Sequence, residues 1–195
     1  MNPKNKNKPI ILASQSPRRA DLLNKAGIAF EAVNPKLDEP APPAGQYTPS
    51  EYAEAASYFK ARSIADDYPD RTILAADTVV ALGGKMYGKP KDADDARRIL
   101  STLTGTTHQV ITGVTLYQPA SEKRLISHAA TKVTMRKMTD KELEDYIASK
   151  EWAGKAGAYA IQENADKFVT KTDGSFTNII GLPMEMLQDM LSQFI

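Results

Sequence analysis

Four short segments carry residues able to do chemistry. The first is Ser14-Gln15-Ser16-Pro17-Arg18-Arg19. Its two arginines stand at the start of a predicted helix, where the helix dipole is positive and cations are unfavourable. An anion would resolve that conflict. Open backbone N–H groups, the hydroxyls of Ser14 and Ser16 and two guanidiniums together suit a triphosphate; the plain alternative is a solvated helix start. The second is Asp77, directly after the apolar run Ile73-Leu74-Ala75-Ala76. A carboxylate at a strand's end lies where α/β sheets bind ligands, and it suits a general base toward water or a ligand for a divalent cation. Thr78 beside it can donate or accept a hydrogen bond, although a lone aspartate is more commonly a turn residue. The third is Gly88-Lys89-Pro90, a plausible phosphate contact that lacks the longer glycine pattern of a P-loop. Lys60 is a further candidate cation, and its default place is the surface. The fourth runs from Gly154 to Gln162 and is rich in small residues, which let a backbone approach a ligand. The Gln162 amide both donates and accepts, as reading a pyrimidine edge requires; otherwise the segment is a tight-packing loop. Asp38 and Glu39 are candidate metal ligands in what reads as a solvated loop. His108 and His128 lie far apart and read as structural.

The elements that must position these residues follow from pattern. Residues 10–13 read as a short buried strand. A helix follows from Ser16 to Gly27, with Ser16 as its cap, Pro17 at its first position and Gly27 at its end. Residues 29–33 read as a second strand, and 37–47, rich in proline and acid, as a loop. Thr48-Pro49-Ser50-Glu51 is a capping box for a helix that presents Tyr52, Ala55, Ala56, Phe59 and Ser63 at helical spacing and fades near Asp66. Residues 72–76 form a strand running into Asp77-Thr78. Residues 79–82 and 85–87 form a hairpin across Gly83-Gly84. Asp92 or Asp94 opens a helix with Ile99, Leu100 and Leu103 inward and Gly105 beyond its end. Two long strands, 110–117 and 123–135, meet near Pro119. Thr139-Asp140-Lys141-Glu142 is a second capping box, for a helix to about Ser149. A short strand over 167–171 and an amphipathic helix over 183–194 close the chain. Strands mixed with helices predict an α/β fold, with the long strands making its sheet partly antiparallel.

The bulk numbers agree with a globular protein. The chain has 195 residues, 42% hydrophobic and 25% charged, and no cysteine, which excludes disulfides, thiol nucleophiles and thiolate metal sites. This length suits one domain over 1–195. A formal net charge of +1 argues against whole-protein attraction to nucleic acid. Residues 1–8 are almost wholly polar and read as a frayed tail. Neither a signal-peptide core nor a run of ~20 apolar residues follows, so a cytoplasmic location is expected, with no membrane partner.

Together the segments resemble the Maf family of nucleoside triphosphate pyrophosphatases. The resemblance rests on the stretch from Ile11 to Arg19 with Leu22-Leu23, then Asp38-Glu39, Lys60-Ala61, Ala76-Asp77-Thr78 and Gly88-Lys89-Pro90. It continues through His108-Gln109-Val110-Ile111-Thr112-Gly113-Val114, the stretch Lys155 to Gln162, and the stretch Gly174 to Pro183. It implies a two-lobed, Maf/ITPase-like α/β fold around a central cleft. It also implies hydrolysis between the α- and β-phosphates with a divalent cation, Mg²⁺ or Mn²⁺, and Asp77 as general base. Ser14, Arg19, Lys60, Lys89 and Glu39 match positions that face triphosphate and metal, with Asp77 a further metal ligand. Arg18, Thr78 and Gln162 match positions linked to substrate choice in the branch acting on dTTP and UTP. The sister branch, which prefers 7-methyl-GTP, tends to carry a bulky aromatic in place of Arg18 and lacks the Thr and Gln. An older family association with septum formation supplies a non-enzymatic alternative, and relatives are commonly dimers. Two positions depart from the family pattern: Phe59 stands where Glu is usual, and Glu163 where Gly is usual.

Overall fold

The computed structural model describes residues 8–36, 46–161 and 165–194. One seven-stranded sheet organises them. Strand β1 (Ile10–Ala13) leads through helix α1 (Pro17–Lys25) to β2 (Phe30–Val33), which lies parallel beside it. Helix α2 (Pro49–Ser63) then crosses to the long strand β3 (Ile73–Leu82), parallel to β1 on its other side. From β3 onward the pairing is antiparallel: with β4 (Lys85–Tyr87), with β5 (Thr107–Gln118), then β5 with β6 (Lys123–Met135) and β6 with β7 (Val169–Asp173). Helices α3 (Ala93–Leu103) and α4 (Asp140–Ser149) fill two connections, and α5 (Phe176–Ile180) and α6 (Met184–Phe194) end the chain. The mixed, partly antiparallel α/β sheet expected from the sequence is therefore present.

Local chemistry sets the helix starts. Thr48 and Glu51 exchange bonds at the head of α2, and Thr139 and Glu142 do so at α4, so both capping boxes close. Asp92 caps α3 by accepting the Asp95 amide at 2.8 Å. Ser16 holds the cap position of α1 but makes no side-chain cap bond, contrary to the sequence expectation. Its own amide donates instead to Ser14 Oγ at 3.2 Å. The hairpin turns at Gly83 and Gly84, whose φ values of +58° and +78° suit the two-residue turn that follows the strand twist.

Alternation along the strands divides the core between two faces. Ile11, Ala13, Ile73 and Ala75 pack with Ala61 of α2 and Ile64 just beyond its end on one. Leu12, Leu74, Ala76 and Val114 pack with α1 and α6 on the other, through Leu22, Leu23, Leu187 and Met190. Farther along that second face, Val80 and Val110 join a separate core built with α3 and α4, around Ile99, Leu103, Tyr146 and Phe168. Each such side chain contributes roughly 1.5–3 kcal/mol by leaving water. Between the two cores, at Thr78 and Thr112, the face turns polar, while the sheet runs unbroken beneath both.

The face of α2 corrects an expectation. Its buried residues are Ala53, Ser57, Lys60 and Ala61, and the aromatic run instead lies at the rim, with Phe59 exposed. Small side chains let the helix lie close to the sheet, and large ones are left outside that contact. The short helix α5 has no counterpart in the sequence reading, and β7 begins at Val169 rather than at Lys167.

Candidate active site

The site begins with a difference in strand length. β5 pairs with β3 over residues 73–81, so β1 and β4 must share the opposite flank of β3. β1 pairs only as far as Ala75, and β4 only from Val80. Residues 76–79 have no strand on that flank among the described residues, and a notch opens in the sheet. Asp77 is therefore the fifth residue of a ten-residue strand, not the end of one as its sequence context suggested. What ends beside it is β1.

Asp77 faces α2. It is 4% exposed, and its Oδ1 lies 2.5 Å from the ammonium of Lys60, itself buried despite the surface position expected of it. Oδ2 has no protein partner among the described residues. The approach of α2 depends on Gly113, which stands opposite Asp77 in the β3–β5 register. A Cβ there would lie 2.2 Å from the Ala53 carbonyl oxygen of α2. The missing side chain thus brings the helix, and Lys60 with it, down to the carboxylate.

Thr78 faces the other way and meets Arg19. The Arg19 guanidinium donates from Nε to the Gly181 carbonyl at 2.7 Å, from Nη1 to Ser14 Oγ at 3.1 Å and from Nη2 to Thr78 Oγ1 at 3.1 Å. Thr78 Oγ1 lies 3.0 Å from Thr112 Oγ1, its cross-strand neighbour, which donates to the Asn178 carbonyl at 3.2 Å. The segment around α5, with Gly181 just beyond it, therefore backs the arginine.

The far wall comes from two loops tied together by a bond from the Gly157 amide to the Gly88 carbonyl at 3.1 Å. They carry Lys89 and Lys155, the latter 7% exposed. Gly157 has φ +71°, and a Cβ on it would lie 2.7 Å from Val80 Cγ2. Ala158 follows at φ +62°, a left-handed conformation costing an L-residue on the order of 1 kcal/mol, held in place by its burial. Tyr159 lines the wall, and its hydroxyl sits 2.7 Å from Nε2 of the buried His108. Burial raises the Tyr159 phenol above its ordinary value and lowers His108 to about 4. His128 instead pairs with Glu54 at 2.7 Å.

These walls enclose a cavity of about 690 Å³. Ser14, Arg18, Arg19, Lys60, Asp77, Thr78 and Lys89 all line it, so seven residues singled out from separate parts of the sequence meet in one hollow. Gln162, Glu39, Asp38 and Glu163 lie outside the described residues. Lys155, Thr112, Gly113 and Gly181 belong to the site or its support and were missed as such. For Lys155 a signal existed, a lysine set between Gly154 and Gly157 in a run of small residues. Among the described residues the lining holds five cations and a single carboxylate. No group of three or more acidic or histidine side chains able to hold a metal occurs among the described residues. No helix among them is long and apolar enough to cross a membrane.

Known proteins agree with this architecture. The chain is 42% identical over 187 residues to a dTTP/UTP pyrophosphatase of Pelotomaculum thermopropionicum, covering 96% of this chain and 97% of that one. A dTTP/UTP pyrophosphatase of Citrifermentans bemidjiense is 42% identical, with 95% of each covered, and one of Dictyoglomus thermophilum is 41% identical, with 95% and 96% covered. In fold it is similar to a HAM1 protein from Coxiella burnetii, with a TM-score of 0.50 and 16% identity over 94% of this chain and 98% of that one. A model of Maf-like proteins matches residues 9–194. The chain belongs to the Maf family.

Proposed function

We propose that this chain hydrolyses nucleoside triphosphates between the α- and β-phosphates, releasing the monophosphate and pyrophosphate, with dTTP and UTP as its substrates. The observation that carries the reading is the cavity lining, which among the described residues sets five cations around one buried carboxylate. A triphosphate carries roughly four negative charges near neutral pH, which such a lining balances. The relatives' names support the choice of nucleotide.

In this reading Arg18, Arg19, Lys60, Lys89 and Lys155 bind and orient the phosphate chain. Asp77 holds the attacking water at Oδ2 and takes its proton, Lys60 fixing the carboxylate through Oδ1. The water oxygen bonds to the α-phosphorus as the bond to the bridging oxygen breaks, and pyrophosphate leaves. One cavity carboxylate among the described residues suits Mg²⁺ or Mn²⁺, since Mg²⁺ is commonly bound through one or two carboxylates plus substrate phosphates. Asp77 would hold the ion, with Glu39, outside the described residues, as the second carboxylate. When bound, the ion supplies neutralisation of charge on the phosphate oxygens. Thr78, Arg18 and Gln162 would set nucleotide preference. A single domain, a cytoplasmic location and a homodimer belong to the same reading.

The test is pyrophosphate release by the purified protein with Mg²⁺ or Mn²⁺ from dTTP, UTP, the other common triphosphates and 7-methyl-GTP. Turnover highest on dTTP and UTP is expected. Preference for 7-methyl-GTP would move the chain to the sister branch, and no release from any would end the enzymatic reading.

A further inference from the structure

Arg19 holds two hydroxyls, and they differ in what they have left to offer a ligand. Ser14 Oγ accepts from Arg19 Nη1 at 3.1 Å and from the Ser16 amide at 3.2 Å. Both lone pairs are engaged, and its proton is left to donate. Thr78 has the opposite balance. Thr112 Oγ1 is 3.2 Å from the Asn178 carbonyl, which can only accept, so Thr112 places its one proton there. The 3.0 Å contact between the two threonine hydroxyls is then donated by Thr78. Thr78 Oγ1 also receives Arg19 Nη2 at 3.1 Å. A lone pair is all it has left. Thr112 is fully buried, whereas Thr78 lines the cavity.

We propose that Thr112 is a positioning residue that fixes Thr78 as a hydrogen-bond acceptor, so that Thr78 receives a proton from the nucleoside part of the substrate while Ser14 donates to its phosphates. The inference rests on the triphosphatase reading above and adds an orientation to it. Phosphate oxygens near neutral pH are acceptors, and an acceptor facing an acceptor is repelled. Thr78 therefore cannot serve the phosphate chain. The donors on a uracil or thymine nucleoside are the imide N–H and the sugar hydroxyls, and either can supply that proton. The proton order begins inside the sheet: Arg19 to Thr78, Thr78 to Thr112, Thr112 to the backbone of α5. A group that never touches substrate thus decides which hydrogen-bond polarity the cavity presents.

The test compares UTP with three probes that put an acceptor where UTP has a donor: CTP at ring N3, 2′-fluoro-2′-deoxy-UTP and 3′-fluoro-3′-deoxy-UTP. The ratio of kcat/KM for UTP to that for each probe is measured on the wild type, Thr112→Val and Thr112→Ser. Valine keeps the shape and removes the hydroxyl. The Asn178 carbonyl keeps its bond from the Gly181 amide at 3.0 Å, so no buried acceptor is orphaned. The wild type is expected to disfavour one probe by about tenfold or more, and that probe identifies the donor. In Thr112→Val the Thr78 hydroxyl can turn and donate, and that ratio shrinks by about fivefold or more; Thr112→Ser keeps the wild-type ratio. A merely structural role would lower all four substrates in proportion, and that result overturns the inference, as does a ratio unchanged in Thr112→Val. Equal use of all four by the wild type overturns it without any variant. A wild type releasing pyrophosphate from no triphosphate would instead end the functional reading, and the orientation with it.

Discussion

Asp77 and Thr78 are neighbours in one strand and obey opposite rules. Asp77 points toward α2 and forms half of a buried charge pair with Lys60. Thr78 points toward α1 and α5 and joins a neutral chain of hydroxyls that ends on a backbone carbonyl. A buried charge pair is strong and intolerant, because removing one charge leaves the other buried with less to balance it. A hydroxyl chain is weak, about 1 kcal/mol per link, but it has direction. The notch in the sheet lets both faces of β3 address one cavity. In the proposed function the charged face does the bond breaking and the neutral face does the recognition.

The comparison breaks first at Asp77. Asp77→Asn should cut pyrophosphate release at least ~100-fold, the low end of a general base's contribution. Loss of the buried pair should also cost about 3–5 kcal/mol in a urea melt, so the variant is not neutral for folding. Combining Lys60→Met with Asp77→Asn should recover much of that stability and none of the turnover. Turnover within tenfold of wild type in Asp77→Asn would remove the charged face from the chemistry. A smaller effect is expected at Gly113, on which the approach of α2 depends. Gly113→Ala should destabilise by about 1–3 kcal/mol, since a Cβ 2.2 Å from the Ala53 carbonyl forces the helix away. Calorimetric melting equal to wild type would show that the close approach is not needed.

A probe that needs only a change of pH lies on the neutral face, at His108, which shares the strand face of Thr112. Burial lowers its pKa to about 4, below the ordinary 6.5. The unfolded chain therefore binds the extra proton in that window, and stability rises with pH across it. The stabilisation is complete above pH 6.5 and is lost as pH falls toward 4, a swing on the order of 3 kcal/mol. Chemical denaturation at pH 4.5, 5.5 and 7 should show this slope in the wild type and a flatter one in His108→Gln. Equal slopes would mean that this face tolerates charge.

The sequence was most legible where local chemistry alone decides. Both capping boxes and the Gly83-Gly84 hairpin are short-range signals, and each has its counterpart in the structure. So did the anion-seeking Arg18-Arg19 pair stand out, because it opposes its own helix dipole. Lys60 was harder. Its burial comes from Gly113, 53 positions away in sequence, and from the small face of α2, and no local pattern reports either. The placement of Asp77 mid-strand was likewise hidden, since the end that matters belongs to β1. Thr112 and Asn178 gave no local sign because their roles exist only across strands. Ser16 holds the cap position, but its side chain makes no cap bond, and its amide goes to Ser14 two residues earlier.

The opening at residues 76–79 is a matter of where β1 stops and β4 starts, which makes strand length the gauge of the cavity's mouth. Each residue added to a strand advances it by about 3.3 Å. Because Gly83 and Gly84 pin the hairpin register, a residue pair inserted symmetrically there would push the turn outward without narrowing the mouth. A further pairing residue after Tyr87 would close it by one step. Substrate size in such a scaffold can thus be retuned by trimming or extending a sheet margin, leaving every packed side chain where it is.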